Sequence, residues 1–157
     1  MNTPAQLSPE ADARIRTSFA RQGFMEKLGV ELRGLGAGMC ELAVAFDASL
    51  TQQHGFFHAG VAATLADNAA GYAGYSVMPE GSTVLTTEFK INLLAPARGE
   101  MMRARAEVIK PGRTLVIVRS EVYCSADGTE THVATALVTT MCLVDKGDGP
   151  SIAARSI

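Results

Sequence analysis

Over residues 52–74 the chain reads QQHGFFHAGVAATLADNAAGYAG, and from Phe57 onward Ala, Val, Leu and Gly occupy every side of a helical wheel. That pattern predicts a helix buried all round rather than one lying on a surface. A single acid, Asp67, stands in its middle. Burying a carboxylate is costly unless a partner compensates it or the group gives up its charge, so Asp67 is a candidate site residue. Elsewhere the period shortens to two. Residues 39–47 alternate, with Leu42, Val44 and Phe46 on one side, and predict a strand entering the core. After a turn at Pro79, Glu80 and Gly81, four more strands are expected over 83–94, 101–110, 114–125 and 131–144. Pro and Gly at 96–99, 111–112 and 127–128 punctuate them. Upstream, Ser8, Pro9 and Glu10 form a helix start, with Ser8 as N-cap and Pro9 at the first helical position. Gly23 is expected to close that helix, whose apolar contacts come from Ile15, Phe19 and Phe24. The glycine-rich stretch 34–38 reads as a turn, and 49–56 as a polar loop. The order is helix, strand, long buried helix, then four antiparallel strands. This is an α+β chain in which a sheet of five to six strands, alone or with a neighbouring subunit, must curl round the long helix.

Composition keeps the chain among ordinary globular domains. Its 157 residues, 47% hydrophobic and 19% charged, suffice for one core. A net charge of −2 predicts no nucleic-acid partner. Cys40, Cys124 and Cys142 are widely spaced with no C-x-x-C pair, which fits core residues in a reducing compartment. The N-terminus lacks a basic start followed by an apolar stretch, and Asp67 and Pro79 interrupt the apolar run. A cytoplasmic location with no membrane partner is therefore expected. Three divisions follow: an N-terminal helical segment 1–23, a folded domain 24–145 and a flexible tail 146–157 rich in Gly, Asp, Pro and Ser.

The entry to the long helix carries chemistry of its own. Gly55 lies in the approach, and His58, Ala59 and Gly60 would make the first turn. A helix start has N–H groups without intrahelical partners at the positive end of the dipole, so a bare first turn can hold an anion or a developing oxyanion. The run HAGVAATLADNAAGYA resembles the HGGxxxxLxDxA signature of the hotdog-fold thioesterases of the phenylacetate-degradation type, which cleave acyl-CoA thioesters. The resemblance spans roughly 24–144, and Ala59 stands where the family has the first of two glycines. It implies a hotdog fold, no cofactor, and a set of roles. Asp67 would be general base or nucleophile. The N–H of Ala59, helped by that of Gly60, would be the oxyanion donor. His58 would hydrogen-bond in the entry turn and shape the pocket. Gln52, where the family often has Asn, would orient water or the thioester. Thr86, at a family Ser or Thr position, would help place the water. Arg98, Lys110, Gly112 and Arg113 would meet the CoA moiety, as basic groups do in similar proteins. Phe56, Phe57, Tyr72, Tyr75 and Met78 could line an acyl tunnel or belong to the core.

His58 and Asp67 are nine residues apart, which at about 100° per residue puts them on opposite faces of one helix, roughly 13 Å apart along its axis. A complete site therefore needs a dimer, and the resemblance implies the same, with a dimer of dimers common in the family. Other chemistries find less support. His54 and His58 have the spacing of a zinc-binding pair, but Gly55 replaces the glutamate of H-E-x-x-H and no third ligand follows. No G-x-S-x-G elbow is present. A non-catalytic acyl-CoA-binding or lipid-sensing hotdog domain would keep the fold and lose the acid, whereas Asp67 is retained.

Overall fold

A computed structural model describes residues 6–146, so nearly all of the expected tail lies outside the described residues. Helix α1, Pro9–Ala20, starts as its sequence dictates, the Ser8 side chain accepting the Ala11 N–H at 3.2 Å. It ends at Arg21, before Gly23. Gly23 does not close it; this residue opens a second helix, α2, Gly23–Leu28. The stop signal for α2 is Gly29, left-handed at φ 71°. The glycine-rich stretch is likewise more than a turn, since Gly34 and Gly36 lie in a strand, β1, Val30–Gly36. Only residues 37 and 38 make the hairpin, with Gly38 at φ 75°, before β2, Met39–Ala45.

A short 3-10 turn, Ala48–Leu50, leads to the long helix α3, Ala59–Tyr75. Four strands follow as expected: β3, Ser82–Leu93; β4, Met101–Lys110; β5, Leu115–Ala126; and β6, Thr129–Val144. They complete a six-stranded antiparallel sheet of order β1-β2-β4-β5-β6-β3. Strand β3 is thus an edge. Its pairing with β6 is broken once, by a bulge between Thr86 and Glu88, where the Thr87 hydroxyl donates to the Thr139 carbonyl at 3.1 Å.

Helix α3 packs against β2 to β6 through small residues. Ala62, Leu65, Ala66, Ala69, Ala70 and Ala73 are buried on the sheet. Close approach is strictest near the C-terminal end, where a β-carbon on Gly74 would fall 2.7 Å from the hydroxyl of the fully buried Thr140. That end is also tied down from outside. The Arg14 guanidinium donates to the carbonyls of Met78 at 3.3 Å and Pro79 at 3.1 Å, and lies 4.5 Å from the Tyr75 ring centroid. Cations are favoured at such a carbonyl-rich helix end. The expectation of a helix buried all round needs correction, because Ala63, Thr64, Asp67, Asn68 and Gly71 form a stripe only half-buried in one protomer. Beside it, the free edge β3 exposes Leu85, Phe89 and Leu93.

Gly74→Ala should destabilise the fold by about 1–3 kcal/mol, as overpacking does. Denaturant unfolding should show much of that loss recovered in Gly74→Ala/Thr140→Ala, since the second change removes the atom that the new methyl meets.

Candidate active site

The segment before α3 is folded tightly on itself, and this fixes the first turn. Gln52 N–H donates to Phe56 O at 2.9 Å, Gly55 turns at φ 78°, and His58 N–H donates to Leu50 O at 2.8 Å. His58 is the N-cap, one position ahead of the helix proper, and its Nδ1 accepts the Gly60 N–H at 2.9 Å. The ring proton therefore sits on Nε2. Gly60 is spared a side chain for the same reason, as a β-carbon there would lie 3.0 Å from Nδ1. The Gly60 N–H, expected to help Ala59 toward an oxyanion, is engaged by His58 in this structure. Val61 N–H is engaged by the His58 carbonyl at 2.9 Å. The N–H of Ala59 has no acceptor among the described residues and remains free for a ligand. Gln52 accepts the His54 N–H through Oε1, so its amide NH2 is the end left to meet a ligand.

Asp67 and Thr86 do come together within one chain, the threonine hydroxyl donating to Asp67 Oδ1 at 2.7 Å. Burial pushes the Asp67 carboxyl above its ordinary value, and the Thr86 hydrogen bond, which favours the charged form, pulls it part of the way back. Ala59 and Asp67 remain two turns apart, roughly 12 Å along α3. One protomer does not unite them. Beside Asp67, the Asn68 Oδ1 is shielded from water with no partner among the described residues.

Two apolar cavities flank the first turn, each of about 340 Å3. One is walled by Gln52, Phe56, Ala59, Ala62, Leu93 and Val133. At this side the Arg98 guanidinium lies 4.3 Å from the centroid of the Phe56 ring. The other cavity has Phe24, Leu28, His58, Gly60, Val61 and Thr64 among its walls. Of the aromatic set named from sequence, Phe56 faces a cavity, whereas Phe57, Tyr72, Tyr75 and Met78 are core. Lys110, Gly112 and Arg113 belong to the β4–β5 end of the sheet, a strand length of roughly 30 Å from the end that carries Arg98. Within one chain they do not join Arg98. Gly112 has a local reason to be glycine, since a β-carbon there would collide with the Leu115 carbonyl.

Other reactive groups are accounted for structurally. Cys40, Cys124 and Cys142 are buried thiols, and burial pushes Cys40 up to about 12 and Cys124 up to about 11, so neither is a thiolate nucleophile. Arg105 pairs with Glu130 at 2.8 Å and Glu41 at 3.0 Å on the sheet face away from α3. The residues that sequence reasoning missed are the walls on α2. A signal existed in Phe24, Met25 and Leu28 followed by Gly29, but six residues are under two turns and give no measurable period.

Comparison with known proteins places the fold and the family. The thioesterase superfamily profile matches residues 54–131, the segment from His54 into the start of β6. A thioesterase family protein from Silicibacter pomeroyi has a TM-score of 0.84 and 48% identity, with 85% of this chain and 98% of that one aligned. A candidate esterase of Halobacterium salinarum is 32% identical over 75% of this chain and 81% of its own length. The E. coli PaaI protein from the phenylacetic acid degradation operon shares the fold, with a TM-score of 0.77, 20% identity, and 88% and 96% of the two chains covered. The chain belongs to the thioesterase superfamily, with the hotdog fold and the hydrolase class that go with it.

Thr86→Val should move the Asp67 titration, followed by carboxyl 13C NMR, to higher pH, because the hydrogen bond it removes favours the charged form. The folded state holds the Asp67 proton more tightly than the unfolded chain does. Stability is therefore lost as pH rises from the ordinary carboxylate range through the raised value, and Asp67→Asn should melt higher than wild type at neutral pH, the gap closing in acid.

Proposed function

We propose that the protein hydrolyses acyl-CoA thioesters to free acid and CoA at sites shared by two protomers, Asp67 from one and the Ala59 N–H from the other. The observation that carries this reading is the separation just described. A raised, hydroxyl-anchored carboxylate and a free helix-start N–H stand two turns apart on one helix, and both border a face left half-open. The edge strand β3, with Leu85, Phe89 and Leu93 exposed, favours pairing with a second copy. Unpartnered Asn68 Oδ1 beside Asp67 supports the same contact. Further exposed Leu115 and Leu137 on the sheet face away from α3 support a dimer of dimers, and the three buried free thiols fit a cytoplasmic location.

As general base, Asp67 takes a proton from water while the oxygen adds to the thioester carbonyl. Negative charge on the carbonyl oxygen is met by the Ala59 N–H and the positive end of α3. Collapse breaks the C–S bond, and the proton held by Asp67 passes to the departing CoA sulfur. As nucleophile, Asp67 would instead add directly, expel the thiolate and form an anhydride that water then opens. Both routes use the same three groups, with Thr86 holding Asp67 in place. Arg98 beside Phe56 supplies positive charge for the CoA phosphates, and Lys110 and Arg113 could reach that end only from another protomer.

Asp67→Asn should lower kcat by roughly 10²–10⁴-fold in free-thiol release from a panel of acyl-CoAs, phenylacetyl to palmitoyl. Ala59→Pro removes the oxyanion donor with little harm to the helix, because proline suits the first helical position and His58, at φ −64° and ψ 140°, already has the extended form wanted before proline. Its kcat should fall about 10²–10³-fold. Each variant alone is then nearly inactive. Co-refolded in equal amounts, they should regain about a quarter of wild-type activity, because half the dimers are mixed and each mixed dimer holds one intact site. Recovery of nothing on mixing would refute the shared site, and acyl-CoA binding without turnover by wild type would refute the hydrolase.

A further inference from the structure

Resting on the thioesterase reading above, we infer that the acyl group occupies the cleft between α2 and the first two turns of α3, and that Leu28 is the wall that sets its length. The two cavities on either side of the first turn are both lined without Lys, Arg, Asp or Glu, and they differ in the cation stacked on the wall of one. Arg98 stands at the Phe56 cavity, which suits the phosphate-bearing CoA arm. The α2 cleft has no Lys, Arg, Asp or Glu in its lining; Phe24, Leu28, Leu50 and Val61 supply its apolar walls. A thioester carbonyl held at the Ala59 N–H, with Ala59 on the wall of the Phe56 cavity and its neighbours His58 and Gly60 on the wall of the cleft, sends its leaving group toward the cation and its acyl group toward α2. At about 340 Å3 the cleft suits an aryl ring or a short to medium alkyl chain. A carboxylated acyl group would lose its hydration there without gaining a cation.

Leu28 gains its role from what lies behind it. A second groove, of about 360 Å3, runs under α2 past Gly29, Val44 and Phe46, with Glu26, Lys27 and Asp47 also in its lining, and it shares Leu28, Ser49 and Leu50 with the cleft. Leu28 and Leu50 are the partition. Leu50 is 8% exposed and anchored in the core, whereas Leu28 projects from a six-residue helix. Truncating Leu28 joins the two spaces into one long channel. Phe24, 58% exposed, flanks the open side of the cleft. Both residues lie outside the segment 54–131 that defines the superfamily, so the selector is separate from the shared catalytic run.

The test compares kcat/KM for hexanoyl-, phenylacetyl-, lauroyl- and succinyl-CoA in wild type, Leu28→Ala, Phe24→Ala and Leu93→Ala. Wild type should favour hexanoyl or phenylacetyl and reject succinyl. Leu28→Ala should raise the lauroyl-to-hexanoyl ratio at least about 10-fold, a change of the size that pocket methylenes produce. Phe24→Ala, at an exposed position with little bearing on folding, should raise the ratio less and keeps the test alive should Leu28→Ala misfold. Leu93→Ala, in the cavity assigned to the CoA arm, should change KM for all four substrates alike. If both α2 variants leave the ratio unmoved, or Leu93→Ala moves it instead, the assignment of the cavities is overturned. A wild type that cleaves none of the four would sink the acyl-CoA thioesterase reading itself, an outcome distinct from cleavage with an unmoved ratio.

Discussion

The close seating of α3 on the sheet governs the rest of the molecule. Alanines at 62, 66, 69, 70 and 73 and the bare Gly74 let the helix backbone approach strands that carry side chains of ordinary size. A helix so placed needs a sheet on one side only. Its remaining stripe holds the polar residues Thr64, Asp67 and Asn68, and a fully apolar stripe would have sealed against a partner with no room for chemistry. The seating also fixes distance. It brings Asp67 within reach of the Thr86 hydroxyl on β3 while keeping it away from the helix start.

At that start, three N–H groups compete for different fates. His58 takes up Gly60 with its ring and Val61 with its carbonyl, leaving Ala59 to face outward. Capping is thus shared between the ring and carbonyl of one residue, and the N–H it leaves over is the first of the helix. A β-carbon at 59 costs nothing here because Ala59 borders an apolar cavity. Glycine at 60 is favoured by the ring of His58, which a β-carbon there would crowd.

Much of this was legible in the chain. The all-apolar run with one acid announced the long helix and singled out Asp67, because burial of a charge is rare enough to be informative. The strands after Pro79 showed themselves by alternation and by glycine and proline between them. Three features were not legible, each for a physical reason. Helix α2 is shorter than two turns, so no period could emerge. Strand β1, with sequence VELRGLG, is broken by glycines and by a register shift between Leu32 and Gly34, which erases alternation. The engagement of the Gly60 N–H depends on which way the His58 ring turns, and sequence holds no record of a rotamer. Thr86 was named only through the family pattern, as a residue that places water, and its bond to Asp67 was not foreseen, since residues on a helix and a distant strand carry no mark of their contact.

The bulge in β3 has a consequence for how this strand can change over time. Thr86 faces α3 opposite the buried Thr140, yet Phe89, Ile91 and Leu93 face the same way, opposite Val138, Ala136 and Ala134. Strict alternation from Thr86 would instead have turned Glu88, Lys90 and Asn92 inward. Thr87 is the spare residue that shifts the phase, so the half of the strand serving Asp67 and the half lining a cavity are written in different frames. Losing the bulge while keeping Thr87 would turn the second half over, carrying a glutamate and a lysine into the cavity wall, whereas deleting Thr87 would leave Glu88 facing out and Phe89 facing in as they do now. The strand can thus shorten by one residue at this point and keep its frame, but it cannot straighten around Thr87 without turning its second half over.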